Sequence, residues 1–314
     1  MQLKKTVVGS FPRICTSIDD SIKRIVDIQL KHEVDIISDG EQRHDMIEYF
    51  HQIPGLINFN GKLRIGKKIE ALNNVDDFIK IKDFHFVKQH LNDLGRKNSI
   101  KTSITGPITL GMVCAMNGIV DFYKNIRDVR IFEDISNALQ PIILKLIELG
   151  SLVQIDEPGL SGGFIKPEIS TKIINDLIEK SINKESWINS ISIHVCGNLF
   201  KVKNLFDELL NLRINTLSLA FSGEREIENI KALSKNKIEK FDKKIGVGCT
   251  NIQLASIMDV EDVGTISSRL KQITKLIGSY NIAYVHPDCG LRNNTVEMTE
   301  KILENIKRSV NLLT

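Results

Sequence analysis

Eight short runs of apolar and β-branched residues recur along the chain, and most stop at a glycine, proline or acidic residue before a stretch of helical periodicity begins. Because strands that alternate eight times with helices build a closed parallel barrel, this repeat predicts an α/β protein with a (β/α)8 (TIM) barrel fold. The predicted strands are 5–9, 35–39, 100–105, 152–156, 190–195, 216–221, 244–247 and 282–285. The predicted helices between them are 17–31, 122–149, 168–180, 199–212, 224–234, 260–277 and 296–313.

The length of 314 residues falls within the range of one such barrel, so we expect a single domain over 1–314. A doubly wound sheet would also alternate strand and helix, but no Gly-rich phosphate loop follows the first predicted strand. The longest connection, about 47–98, is predicted to be an insertion after the second strand. Within it, Asn60 and Gly61 indicate a turn between two short extended runs, and a helix is predicted near 75–94.

Charge and hydropathy argue against two classes of partner. The 42 basic and 39 acidic residues alternate along the chain, so no nucleic-acid-binding surface is predicted. The longest uncharged run, 102–120, contains Pro107 and three glycines, and we reject it as a membrane span.

The N-terminus lacks a signal-peptide core, so a cytoplasmic location is expected. The five cysteines, an odd number, then indicate free thiols or metal ligands rather than disulfides.

Chemically distinctive motifs stand where the predicted strands end. They are GSFP at 9–12, DGE at 39–41, TGP at 105–107, DEP at 156–158, HVCG at 194–197 and HPDCG at 286–290. In a parallel barrel the carboxyl ends of the strands form one mouth, where enzymes with this fold place their chemistry. We therefore expect these motifs to meet in one active site.

Three of the residues in these motifs form a candidate metal site. His194 and Cys196 lie two apart on a strand, so their side chains point the same way. Imidazole and thiolate are donors that zinc prefers, and Cys289 after the eighth strand would supply the third ligand and leave a fourth position open. Cys249, at the end of strand seven, is a rival for the third position. Because zinc turns a bound thiol into a thiolate, the pattern predicts thiol activation.

The same motifs resemble the cobalamin-independent methionine synthase family, in order and across nearly the whole chain. The matching segments are GSFPR at 9–13, DGEQRHDMIEYF at 39–50, TGPIT at 105–109, QIDEPGL at 154–160, HVCG at 194–197 and PDCGL at 287–291. The resemblance implies the same barrel and a zinc-dependent transfer of a methyl group to the thiol of L-homocysteine, which gives methionine.

The resemblance also implies residue roles. The carboxylate of homocysteine would be held by Gly9 and Ser10, because a strand-end Gly-Ser pair offers N–H donors to an anion. Its ammonium group would be bound by Glu41 and Asp156, since two carboxylates suit a cation. Glu157 would orient Asp156 or the incoming donor. The residues that match the zinc ligands are His194, Cys196 and Cys289.

This chain departs from the family pattern at several positions. Full-length members carry a second, N-terminal barrel, and this chain matches the catalytic one. Ala220 stands where a glutamate ligand is expected, and Asn251 stands at or near the place of a histidine proton donor; we keep Asn251 beside Asp156 and Glu157 as a catalytic candidate. Val113 replaces a folate-stacking tryptophan. These departures predict a donor other than a folate polyglutamate, either a methylated corrinoid, which a partner protein could carry, or another pterin. The candidates to replace the missing ligand are water, Cys249, Glu224 and Glu226.

Two other functions are compatible with the sequence. Related barrels activate coenzyme M or other thiols for alkyl transfer, but a sulfonate substrate would demand cationic partners, for which the candidates are Arg13, Arg43 and Arg292. A barrel that has lost catalysis could instead serve as a binding or accessory subunit. Metal content separates this last reading from the enzymatic ones, because a catalytic site of this kind needs its ion.

Overall fold

Strands and helices alternate along the chain as predicted, except that the first predicted strand, 5–9, forms only isolated bridges at Lys5 and Thr6. The computed structural model describes residues 3–15 and 17–313. The strands are β1 (Ile36–Ile37), β2 (Leu56–Phe59), β3 (Lys62–Ile65), β4 (Ser99–Thr105), β5 (Leu152–Asp156), β6 (Ile191–Val195), β7 (Thr216–Ala220), β8 (Lys244–Gly248) and β9 (Ile282–His286). The α-helices are α1 (Ile18–Lys31), α2 (Ile79–Asp93), α3 (Pro107–Asn117), α4 (Val129–Glu148), α5 (Gly159–Gly162), α6 (Pro167–Ser181), α7 (Leu205–Leu210), α8 (Lys235–Lys240), α9 (Val263–Ile277) and α10 (Val296–Asn311).

Seven strands form one parallel sheet in the order β1-β4-β5-β6-β7-β8-β9. Near the N-terminus, Lys5 forms a parallel bridge to Val285 in β9, and Thr6 forms another to Ile36 in β1. The same short segment therefore contacts both edge strands, and the sheet curls into a barrel-like shape. All seven strands of this sheet point their carboxyl ends to one side, which is where the predicted motifs lie.

The two faces of the sheet differ in polarity because the strand residues alternate. In β6, Ser192 and His194 alternate with three buried aliphatic residues. The aliphatic side chains join the core between sheet and helices. The parallel register places Gln154 beside Ser192 and Ser218 beside His194, so hydrogen-bonding groups collect on the inner face. This polar interior carries the site at the barrel mouth.

The connection between β1 and β4 contains the elements expected from its sequence. β2 and β3 pair as an antiparallel hairpin, with Phe59 opposite Lys62. The two residues between the strands, Asn60 and Gly61, have φ angles of 52° and 75°, as a two-residue hairpin turn requires. The predicted turn is confirmed, and α2 lies where a helix was expected.

Some predicted helices are wrong in their bounds. The stretch 107–117 forms α3, which no prediction included, because its residues are almost all uncharged and give no amphipathic period. α4 begins at Val129 rather than near 122, since the Asp128 side chain accepts a hydrogen bond from the Arg130 N–H and caps it there. The stretch 227–232 is a 3-10 helix instead of part of an α-helix. None of the helices within 3–15 and 17–313 is long and apolar enough to cross a bilayer.

Candidate metal and amino-acid site

One cavity of about 270 Å³ lies at the carboxyl ends of the strands. It is lined by all seven residues that were predicted to bind metal or substrate, which are Gly9, Ser10, Glu41, Asp156, His194, Cys196 and Cys289. These residues come from five separate segments of the chain. The curled sheet therefore brings the predicted ligands and the predicted substrate-binding groups to the same place.

Three candidate ligand atoms, one each from His194, Cys196 and Cys289, lie within 4.8 Å of one another. His194 and Cys196 lie on the same side at the end of β6, and Cys289 follows β9. The contact between the two thiols raises the pKa of Cys196 and lowers that of Cys289, which His194 lowers further.

The imidazole of His194 is almost fully buried and uses one of its two nitrogens. Nδ1 lies 3.0 Å from the Ser218 hydroxyl oxygen. Nε2 is buried and has no hydrogen-bond partner among the residues that the structure describes. A buried polar atom without a partner is costly unless something binds it, so this nitrogen beside two thiols fits a metal ion. The donor set of one nitrogen and two sulfurs is typical of zinc.

Within the described part of the chain, no fourth His, Cys, Asp or Glu joins this group. Ala220, where a glutamate was expected, is buried at the end of β7 and offers no ligand atom. Cys249 is fully buried, and burial raises the pKa of its thiol. Neither Glu224 nor Glu226 belongs to the group. The geometry therefore favours Cys289 over Cys249 as the third ligand.

Glu41 forms one side of the cavity in a strained conformation. Its φ angle of 51° is in the left-handed region, which an L-residue adopts at a cost. Its N–H donates to Asp39 Oδ1 at 3.1 Å, and its carboxylate accepts from Lys80 Nζ at 2.9 Å. The Lys80 side chain is 1% exposed, and its Nζ also lies 3.6 Å from Asp39 Oδ2. Although burial opposes its charge, the two carboxylates raise the pKa of Lys80, so it stays an ammonium.

Asp156 also lines the cavity, at the end of β5. Its carboxylate accepts a hydrogen bond of 2.7 Å from Gln154 Nε2. Gln154 Oε1 in turn accepts one of 2.6 Å from Lys101 Nζ, which also donates to the Val7 carbonyl. Burial raises the pKa of Asp156 to about 7 and lowers that of Lys101 to about 7. Sequence reasoning missed Lys80 and Lys101, and no local pattern distinguishes them from the other lysines.

Ser10 presents open donors to the cavity. Its carbonyl accepts from the Leu291 N–H at 2.7 Å, which fixes the loop against the segment after Cys289. Gly290 packs so closely there that a Cβ would collide with the Ser10 hydroxyl. No protein acceptor among the described residues binds the Ser10 N–H or its hydroxyl hydrogen. This backbone can therefore receive an anion.

Glu157 and Asn251 do not line the cavity. The Glu157 carboxylate accepts from the N–H groups of Ile108 and Thr109 at 2.9 and 2.8 Å, and from the Thr109 hydroxyl at 2.6 Å. It thereby anchors the first turn of α3. The Asn251 side chain accepts from the Gln253 N–H at 3.0 Å. Their catalytic roles stay predictions.

Of the three candidate arginines for an anionic substrate, only Arg292 lines the cavity. It donates to the carbonyls of Glu41 and His44, which holds the loop that carries Glu41. Arg43 lies 2.6 Å from Asp83 and 3.0 Å from Asp19, so carboxylates of the protein already neutralise it. Arg13 donates to the Arg43 carbonyl at 3.2 Å. Arg292 is therefore the one of the three that could meet an anionic group of a substrate in the cavity.

The curled parallel sheet and the cavity at its carboxyl edge define an α/β barrel-type enzyme. A family model described as the catalytic domain of cobalamin-independent synthase matches residues 3–311, and the chain belongs to this family. Membership makes it a methyltransferase of the methionine synthase type, which confirms the predicted class.

Several known proteins are similar to this chain. The methionine synthase of Methanocaldococcus jannaschii is 30% identical, over 98% of this chain and 98% of its own length. The 5-methyltetrahydropteroyltriglutamate–homocysteine methyltransferase of Buchnera aphidicola is 25% identical over 99% of this chain, which spans 43% of that relative. The solved structure of a B12-independent methionine synthase from Shewanella sp. W3-18-1, in complex with selenomethionine, superposes with a TM-score of 0.75 at 16% identity, covering 100% of this chain and 98% of that one. At this identity the likeness shows the fold.

These comparisons correct one expectation. A methylated corrinoid, delivered by a partner protein, was predicted as a methyl donor because Ala220, Asn251 and Val113 depart from the family pattern. The family and the solved neighbour are both described as independent of cobalamin, so the corrinoid donor and its carrier protein are not supported. Losses at three positions were too indirect a basis for a change of donor.

Proposed function

We propose that this protein transfers a methyl group from a methylated tetrahydropterin to the thiol of L-homocysteine, with zinc as its metal, and so forms methionine. The observation that carries the proposal is the joint lining of one cavity by a His–Cys–Cys donor group, two carboxylates and an open backbone N–H. A thiol, an ammonium and a carboxylate each find a complementary group there.

Each group of the substrate has its own partner in this proposal. Glu41 and Asp156 bind the ammonium, while the N–H of Ser10, in the loop that Gly9 begins, binds the carboxylate. His194, Cys196 and Cys289 hold the ion, which when bound lowers the pKa of the substrate thiol so that sulfur reacts as a thiolate. The carbon–sulfur bond forms as the carbon–nitrogen bond to the pterin breaks. The proton that the thiol loses balances the one that the pterin nitrogen gains.

Three broader features belong to the same proposal. The bridges of Lys5 and Thr6 to both edge strands support a closed barrel in which the N-terminal segment acts as the eighth strand. The stretch 47–98 is then an insertion between the second and third strands, and 1–314 is one domain. The cytoplasmic location stays a prediction from the sequence.

The decisive experiment is a donor panel with the metal quantified in the same preparation. Purified protein receives homocysteine with methyltetrahydropteroyl monoglutamate, methyltetrahydropteroyl triglutamate or methylcobalamin, and methionine is measured. We expect methionine from at least one pterin and about one equivalent of zinc per chain. Coenzyme M replaces homocysteine in a parallel series and should give no methylated product.

Two results would contradict the proposal. Methionine formed from methylcobalamin but from neither pterin would exclude the proposed donor. A preparation that carries zinc but methylates coenzyme M in preference to homocysteine would exclude the proposed acceptor. Protein without metal and without activity would favour an accessory role.

A further inference from the structure

A row of hydrogen bonds runs beneath the metal group and links three strands. His194 Nδ1 lies 3.0 Å from the Ser218 hydroxyl oxygen, and the same oxygen lies 2.9 Å from His286 Nε2. His286 Nδ1 lies 2.6 Å from the carbonyl oxygen of Pro287. The three side chains are at most 1% exposed, so water does not compete for these bonds.

The carbonyl of Pro287 sets the direction of this row. A carbonyl only accepts, so the hydrogen between it and His286 lies on Nδ1. With one hydrogen on the ring, His286 Nε2 is an acceptor, and the Ser218 hydroxyl must donate to it. The Ser218 oxygen then accepts from His194 Nδ1. No carboxylate of the described residues is bonded to His286, so a second ring hydrogen would leave an uncompensated charge in the barrel.

A separate observation agrees with this direction. A neutral imidazole that carries its hydrogen on Nδ1 has a free lone pair on Nε2, which is the atom that binds a metal. In His194 this Nε2 is the buried atom without a hydrogen-bond partner. The row of hydrogen bonds therefore leaves the free lone pair of His194 on Nε2, which is the nitrogen that can reach the two thiols.

We propose that Ser218 and His286 are positioning residues that hold His194 in the tautomer with hydrogen on Nδ1 and so keep Nε2 available to the metal. The inference rests on the proposed metal site. Its reason is geometric: the row begins at a main-chain oxygen that cannot reverse its role. In metal sites with such outer hydrogen bonds, loss of the outer partner typically weakens metal binding by about 10–100-fold.

The first test measures zinc affinity by competition with a chelator. Ser218→Ala removes the acceptor for His194 Nδ1, and we expect zinc to bind about 10–100-fold more weakly. Ser218→Thr keeps a hydroxyl and should retain most of the affinity. Ser192→Ala is the matched control, because it removes another buried hydroxyl from the neighbouring position of the same inner face, where the oxygen is 3.5 Å from the Val153 carbonyl. Its zinc affinity should equal that of the wild type.

The second test reads the tautomer directly in metal-free protein by ¹⁵N NMR of labelled histidine. We expect His194 of the wild type to carry its hydrogen on Nδ1. In Ser218→Ala it should populate both tautomers. In His286→Phe the Ser218 hydroxyl loses its acceptor and turns to donate to His194 Nδ1, so the tautomer with hydrogen on Nε2 should dominate. A role limited to packing would change stability without moving these signals.

The outcomes separate the inference from the proposed function. Wild-type protein that fails to bind zinc would remove the proposed metal, while the NMR signals would still decide the tautomer. The inference would be overturned if Ser218→Ala and His286→Phe both keep the wild-type tautomer. It would also be overturned if both variants bind zinc as tightly as the wild type. Two variants from different strands guard against the misfolding of one of them.

Discussion

The ammonium of Lys80 lies 2.9 Å from the carboxylate of Glu41, and both side chains are buried. Lys80 belongs to α2 and reaches beneath the cavity, where its Nζ is also 3.8 Å from the centre of the Tyr49 ring. Its single positive charge compensates one of the two negative charges of Glu41 and Asp39 before any substrate arrives. The carboxylate that is proposed to bind the substrate ammonium therefore already has a cationic partner on its protein side.

Replacing this lysine should destabilise the fold. Lys80→Met leaves Glu41 and Asp39 as buried carboxylates without their cation, and the loss of one partner from a buried ion pair typically costs about 3–5 kcal/mol. Urea unfolding followed by circular dichroism measures this change in the free energy of unfolding. The matched control is Lys82→Met, two residues along the same helix, whose ammonium pairs with Asp77 at 3.1 Å in solvent. That exposed pair should contribute about 0–1 kcal/mol. Equal stability of the two variants would refute the compensating role of Lys80.

The affinity for homocysteine should depend on pH through Asp156. Burial raises the pKa of this carboxyl to about 7, so acidification below that value protonates it and removes the negative charge that attracts the ammonium. We expect KM for homocysteine to rise as pH falls, approaching about tenfold per pH unit at the limit. Initial rates between about pH 6 and pH 8 measure this.

The control for the pH prediction is Asp156→Asn. With no charge to lose at this position, its KM for homocysteine should be high and nearly independent of pH over the same range. The KM for the methyl donor should change little in either protein. A wild-type profile as flat as that of the variant would show that Asp156 does not contact the ammonium.

Lys101 should influence homocysteine binding although it does not touch the cavity. In its ammonium form Lys101 only donates, so its bond fixes the Gln154 amide with oxygen toward Lys101 and NH₂ toward Asp156. Lys101→Met should weaken the Gln154–Asp156 bond, and a hydrogen bond to a charged group contributes about 1.5–3 kcal/mol, so we expect KM for homocysteine to rise at least about tenfold. The KM for 4-mercaptobutyrate, which lacks the amino group, should change little.

Lys243→Met is the matched control for Lys101→Met. Lys243 is also buried and donates to the carbonyls of Leu212 and Ile214, at 2.6 and 2.8 Å, near the amino ends of β7 and β8. Its loss should lower stability but leave KM for homocysteine unchanged. If both variants raise KM equally, the effect comes from general loosening of the barrel and not from the amide of Gln154.

Replacing the cysteines one at a time should distinguish the metal ligands from Cys249, the rival for the third ligand position. Cys196→Ser and Cys289→Ser should each purify with much less than the wild-type zinc content and form no methionine, because two ligands rarely retain the ion against a chelator. Cys249→Ser should keep both zinc and activity, since its side chain lies outside the group. Zinc content by atomic absorption decides this, and loss of zinc from Cys249→Ser alone would reverse the assignment.

The main architecture and the ligand group could be predicted from the sequence. Short runs of apolar and β-branched residues that stop at Gly, Pro or acidic residues indicate strands and their ends, and the ends of parallel strands meet at one edge. His194 and Cys196 needed only this rule, because they lie two apart on one strand. Cys289, Glu41 and Asp156 followed because each stands at the end of a predicted strand or within four residues after it. These inferences rest on local spacing, which a linear sequence records.

Other features depended on contacts between distant parts of the chain. Lys80 meets Glu41 across 39 residues, Lys101 meets Gln154 across 53, and Ser218 meets His286 across 68. Nothing near these residues in the sequence marks them, because a lysine or serine acquires its burial and its partner only when the sheet curls and brings its inner face together. α3 was hidden for a related reason: a helix buried on nearly all sides needs no polar face, so its sequence lacks the periodicity that reveals helices at a surface. Local spacing thus established the fold and the ligand group, whereas the charge compensation and hydrogen bonds that tune the site arose from tertiary packing.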